Sequence, residues 1–83
     1  MIIDDIKEIN PEALLCDGFD DAIIGIAERP NLGPVVAYSV EKILAIMVAR
    51  DNMTYEDALE YYEYNIAGAW MGEFTPIYIK TEI

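Results

Sequence analysis

The stretch that most constrains this chain runs from Met53 to Gly72, MTYEDALEYYEYNIAGAWMG. Thr54 stands where a helix N-cap is expected, with Glu56 and Asp57 in the turn that follows. A hydroxyl there accepts from an otherwise orphaned backbone N–H, and negative charge suits the positive end of a helix. At about 100° per residue, Tyr55, Ala58, Leu59, Tyr62, Ile66, Ala69 and Trp70 gather on one side. Glu56, Glu60 and Glu63 gather on the other, with Asp57, Tyr61 and Tyr64 beside them. The spacing predicts a helix with an apolar core face and an acidic, tyrosine-edged outer face.

The outer face carries a local penalty. Glu56 and Glu60 are an i,i+4 like-charge pair and Glu60 and Glu63 an i,i+3 pair, each destabilising by roughly a few tenths of a kcal/mol. No Lys or Arg occurs between Asp51 and Ile79 to offset them. Two readings stand side by side: a solvated face that keeps a small protein in solution, or a surface shaped to meet something basic. Tyrosine is enriched at binding hot spots, so Glu56, Asp57, Glu60, Tyr61, Glu63 and Tyr64 are the candidate partner-binding residues.

The remaining elements follow in chain order. Ile2, Ile3, Ile6 and Ile9 recur at helical spacing, so residues 1–10 read as a short helix, a mobile arm or an added strand. Asn10-Pro11 restarts the chain, and a short helix through Ala13, Leu14 and Leu15 ending at Gly18 is expected. The β-branched run Ala22–Ala27 and the segment Val35–Tyr38 read as strands of a hairpin, joined by a turn over residues 29–34. Gly25 marks a bulge or a close approach within the first strand. Ser39 is placed to cap a helix that is apolar nearly all round from Ile43 to Ala49, with Arg50 in its last turn. Asn52 is a left-handed stop leading into the acidic helix. Gly68 and Gly72 either let another backbone pass close or mark a fraying end. The final strand, Ile77 to Lys80, is expected to alternate inward Ile with outward Tyr and Lys.

The sum is an α+β fold with two layers. A small two- or three-stranded sheet, made of the hairpin plus the C-terminal strand, packs against a helical pair, with a short N-terminal helix. With 83 residues the chain is long enough for one domain and not for two.

Chemistry is sparse. The chain has no histidine, so no His-based triad and no His-ligated zinc are available. No phosphate loop or dinucleotide fingerprint occurs. Asp17, Asp20 and Asp21 around Gly18 could offer oxygen ligands to a hard cation, but they lack EF-hand spacing, and turn and cap usage explains them better. Cys16 is the single cysteine and reads as a buried structural thiol in a reducing compartment. Neither a signal peptide nor a transmembrane run is legible, and the expected place is the cytoplasm. No cofactor and no enzymatic activity are expected.

Sixteen acidic and five basic residues give a net charge of −11. That argues against direct binding to nucleic acid or anionic membrane, since both require cationic partners.

Two segments carry a family likeness: residues 17–25 running on to Glu28-Arg29, and Met53–Ala58 continuing through residues 63–65 and 68–77. Together they resemble a family of small acidic uncharacterised proteins found in bacteriophage genomes and in bacteria. The stretch from Asn65 to Pro76 is its most specific part. The resemblance implies a phage setting, hence a host-cell cytoplasm, and small acidic phage proteins often inhibit host or defence proteins, sometimes by imitating DNA. The leading expectation is therefore a non-enzymatic binding protein, an inhibitor whose acidic face occupies the basic surface of a host or phage protein that handles nucleic acid. The alternative is a homo-oligomeric structural or assembly protein, a homodimer being the simplest case, that associates through Ile2, Ile3 and Ile6 or the last strand's edge.

Overall fold

The computed structural model describes residues 2–81, and its architecture is α+β with a three-stranded mixed sheet. Helix α1 spans Ile2–Ile9, strand β1 Ile23–Arg29, strand β2 Leu32–Ser39, helix α2 Val40–Arg50, helix α3 Tyr55–Tyr61, and strand β3 Ile77–Ile79. A 3-10 turn, Asp20–Ala22, leads into β1, and a π-helical segment, Tyr62–Ala67, continues α3. The sheet order is β1-β2-β3, with β1 antiparallel and β3 parallel to the central strand.

The hairpin closes through a two-residue loop, Pro30-Asn31, in which Pro presets the first turn position and Asn31 takes φ 61°. The Arg29 guanidinium locks it, one terminal nitrogen donating to the Gly33 carbonyl at 2.6 Å. The ladder then departs from ideal pairing twice. Ile23 faces Tyr38 and Gly25 faces Ala37, which leaves Ile24 as an extra residue, the bulge expected near Gly25. The second irregularity spans Gly33 and Pro34. Pro34 has no N–H to give, so it tolerates a central strand only where the ladder is already broken. Its carbonyl accepts from the Asn10 side chain at 2.8 Å.

That bond explains why the short helix expected after Pro11 does not form. Asn10 uses its Nδ2 on β2 and its Oδ1 to accept from the Glu12 N–H, an Asx turn that competes with helix initiation. The following segment instead lies along residue 74, the Leu14 N–H donating to the Phe74 carbonyl. Gly18 nonetheless adopts φ 87°, the left-handed conformation anticipated for it.

The caps follow the sequence. The Lys42 N–H donates to Ser39 Oγ at 3.2 Å and the Asp57 N–H to Thr54 Oγ1 at 3.1 Å. Asn52, at φ 55°, turns α2 into α3. Helix α2 differs from expectation. Val40, Ile43, Leu44 and Met47 are buried, an i, i+3, i+4, i+7 stripe, whereas Ala45, Val48 and Ala49 face solvent. A run that is apolar all round reveals no preferred face, so packing against the sheet and α3 makes the choice.

Every residue of β2 from Val35 to Ser39 is buried. Its central place satisfies both backbone edges, and helix α1 packs against both hairpin strands. Tyr38 lies at the middle. Its ring stacks on Tyr78 with centroids 5.7 Å apart, and Tyr62 meets Tyr78 edge-on at 5.9 Å. The Cys16 backbone N–H donates to the Tyr38 hydroxyl at 2.7 Å, and the Tyr78 hydroxyl hydrogen-bonds the Cys16 thiol. Tyr78 therefore turns inward, opposite to the expected alternation, while Ile79 is partly exposed. A three-residue strand is too short for its own pattern to fix a face, and the aromatic partners decide it.

Two predictions come from this packing. A Cβ at Gly33 would stand 2.9 Å from Asn10 Nδ2 and 3.0 Å from Phe74 Cε1, whereas one at Gly25 meets nothing within 4 Å. Gly33→Ala is expected to cost about 1–3 kcal/mol and Gly25→Ala to stay within about 0.5 kcal/mol of the parent, as read from urea midpoints at constant slope.

Burial also raises the Cys16 thiol and the Tyr38, Tyr62 and Tyr78 phenols above their ordinary values of 9.0 and 10.0. The folded state thus holds these protons more tightly than the unfolded chain. Their contribution is whole below those ordinary values and erodes as pH climbs past them. Thermal unfolding followed by circular dichroism is expected to show a melting temperature that falls between pH 9 and 11, with a shallower fall in Tyr78→Phe.

Candidate functional site

The acidic face is held by α3 and the π-helical segment. Thr54 fixes where the helix begins, and Glu56 and Asp57 fall in its first turn, where the helix dipole favours them. Ala58, Tyr62 and Ile66 are the buried anchors, and Leu59 is half-buried. Between these anchors, Glu56, Asp57, Glu60, Tyr61, Glu63 and Tyr64 all reach solvent, so the structure places the six candidate residues on one exposed surface. Tyr64 is 78% exposed and Tyr61 44%.

The predicted core face is corrected at both ends. Tyr55 is 63% exposed and Trp70 75%. Tyr55 is the first helical residue and borders an open groove whose other lining residues, Glu41, Leu44, Ala45 and Val48, belong to α2. Trp70 is displaced because the helix widens after Tyr61. In a π-helix the hydrogen bond runs to i+5, so each residue advances less than the 100° of an α-helix. The segment ends at Ala67, and Gly68 turns the chain before Trp70 is reached.

Between the buried Tyr62 and Ile66, Glu63, Tyr64 and Asn65 are consecutively exposed. Asn65 Nδ2 donates to the Tyr61 carbonyl at 3.3 Å, giving a partner to backbone at the α-to-π junction. Gly68 is pressed there, since a Cβ on it would lie 3.2 Å from the Glu63 carbonyl oxygen.

Two shallow grooves flank the ridge that Tyr64 makes. One, of about 350 Å³, is lined by Met53, Asp57, Glu60, Tyr61, Tyr64 and Asn65. The other, of about 360 Å³, is lined by Glu56, Leu59, Glu60, Glu63 and Tyr64. Glu60 and Tyr64 belong to both. Sequence reasoning missed Met53, Leu59 and Asn65 as lining residues. Their one signal was adjacency to the acidic row, and Leu59 was assigned wholly to the core.

Among the described residues, no Lys or Arg pairs with Glu56, Asp57, Glu60 or Glu63. Arg50 lies close enough to interact with Tyr61, but its guanidinium is already committed. It donates to Asp51 at 3.0 Å and to the Gly18 carbonyl at 2.7 Å, and it sits 5.0 Å from the centre of the Phe19 ring. Their mutual hydrogen bond holds the Asp51 carboxyl below its ordinary range and Arg50 above. The larger groove beside it, about 540 Å³ and lined by Gly18, Asp20, Asp21, Ile46, Ala49 and Arg50, thus offers no uncommitted cation.

No three of Asp, Glu and Cys converge on a metal position among the described residues. Asp20 and Asp21 form the first turn of the 3-10 segment, and Asp17 precedes it. No described helix is long and apolar enough to cross a membrane. No family model, no curated protein and no solved structure matches this chain.

The repulsion along the face is measurable. Glu60→Lys converts the 56–60 pair into an attractive one with Glu on the N-terminal side, the better orientation. The variant is expected to gain about 0.5 kcal/mol in chemical denaturation at low salt, with the gain shrinking at high salt.

Proposed function

We propose that this chain is a non-enzymatic binding protein whose acidic, tyrosine-edged helix face docks on a basic protein surface. The observation that carries the reading is a row of four exposed carboxylates on one helix, Glu56, Asp57, Glu60 and Glu63, to which no described basic residue is committed. A row that only kept the protein soluble would have no need to be concentrated on one helix, since the chain carries 16 acidic residues. Neighbouring carboxylates at i,i+3 and i,i+4 stand roughly 5–6 Å apart at Cβ, a coarse counterpart to a run of phosphates. A partner that handles nucleic acid is accordingly the favoured class, with this chain competing for its basic groove as an inhibitor. The resemblance to small acidic phage proteins supports the same setting, a bacterial cytoplasm.

The second reading is self-association. Trp70 and Met71 lie exposed side by side and β3 has one unpaired edge, which favours it. Ile2, Ile3 and Ile6 are drawn from it, being half-buried or buried within the chain itself.

The test is a paired capture from bacterial lysate with the parent and the Glu56/Glu60/Glu63→Lys variant as baits. All three positions are exposed, so the variant is expected to keep its circular dichroism spectrum. Proteins retained by the parent at low salt, released at high salt and lost from the variant support the reading. The same proteins retained equally by both baits would overturn it. Sedimentation that is independent of concentration removes self-association.

A further inference from the structure

The two grooves differ from a plain carboxylate row in having aromatic walls. Tyr64 stands between them, nearly free of the body of the protein, with Glu60 at its foot on both sides. Tyr61 also lines the first groove and Leu59 the second. A cation entering either one meets carboxylates and lies against a tyrosine ring.

Lysine and arginine answer such a site differently. An ammonium is compact and strongly hydrated, so it pairs with the carboxylates and gains little from the ring. A guanidinium is planar and weakly hydrated, stacks on an aromatic face and forks onto carboxylates at the same time. Tyr64 lines both acidic grooves, so the ridge has room for a guanidinium group on either side.

We infer that the Tyr64 ridge with its two flanking grooves is an arginine-selective docking element, taking a pair of arginine side chains from a partner protein, one on either side of the ring. This rests on the docking face proposed above and adds which basic residue the face selects. Charge complementarity supplies the occupant: Asp57 and Glu60 line one groove, Glu56, Glu60 and Glu63 the other, and among the described residues none meets a Lys or Arg of the chain.

The probes are an arginine hexamer and a lysine hexamer of equal charge, titrated into the full chain at low ionic strength by NMR. The arginine hexamer is expected to bind roughly two- to fivefold more tightly and to shift the Tyr64 ring resonances most. Tyr64→Ala is expected to erase that preference and leave the shared electrostatic affinity, while Tyr64→Phe retains the preference. Equal affinity of the parent for both hexamers overturns arginine selectivity and leaves the docking face standing. A preference that survives Tyr64→Ala overturns the role of the ridge. If neither hexamer binds, selectivity and docking face fall together.

Discussion

The fold hangs on the inward turn of Tyr38 at the centre of a strand buried along most of its length. Its ring and hydroxyl join three pieces of chain far apart in sequence. Cys16 donates its backbone N–H to the hydroxyl, Tyr78 of β3 stacks on the ring, and Tyr62 packs edge-on against Tyr78 from the helical side. A buried phenol left without a partner would be costly, and a buried N–H likewise, so the 2.7 Å bond satisfies both at once. Because β3 is three residues long and has one paired edge, this aromatic contact does much of what a longer ladder would otherwise do. Tyr62 is also where the α-helix gives way to the π-segment. The core and the exposed face are thus fastened at the same residue.

The exposed face shows the opposite economy. Within the core every buried side-chain polar atom of the described residues has a partner. On the outer side of α3, like charges stand one turn apart with no Lys or Arg of the described residues to neutralise them. Local electrostatics there oppose folding slightly, and burial of Ala58, Tyr62 and Ile66 below overrides them. Sites of recognition often keep such local conflict, because a residue that satisfied it internally would occupy the position a partner needs.

Much of this was legible in the residues. Ser39 and Thr54 are caps with a mechanism, Asn52 a left-handed stop, and Gly25 a bulge signal, because each depends on local chemistry alone. The hairpin was legible for the same reason, although its loop is tighter than the Pro- and Gly-rich segment suggested. Legibility ended where a long-range partner decided the outcome. Asn10 looked like a helix start and became a strap, because Pro34 lies within reach only after folding. Tyr78 read as outward-facing until Tyr38 and Tyr62 supplied rings for it. The exposed carboxylates and tyrosines of the candidate site were readable from helical spacing. The grooves were not, since helical spacing gives the direction of a side chain and not the space between neighbouring side chains.

The π-helical segment has a consequence for how the surface can diverge. Tyr62 and Ile66 grip the core at either end of the wide turn, so the interior senses little of what lies between them. Replacing Glu63 or Tyr64 would therefore redraw the outer surface alone. Kindred chains could exchange one recognition surface for another by point substitution, with every interior contact left in register.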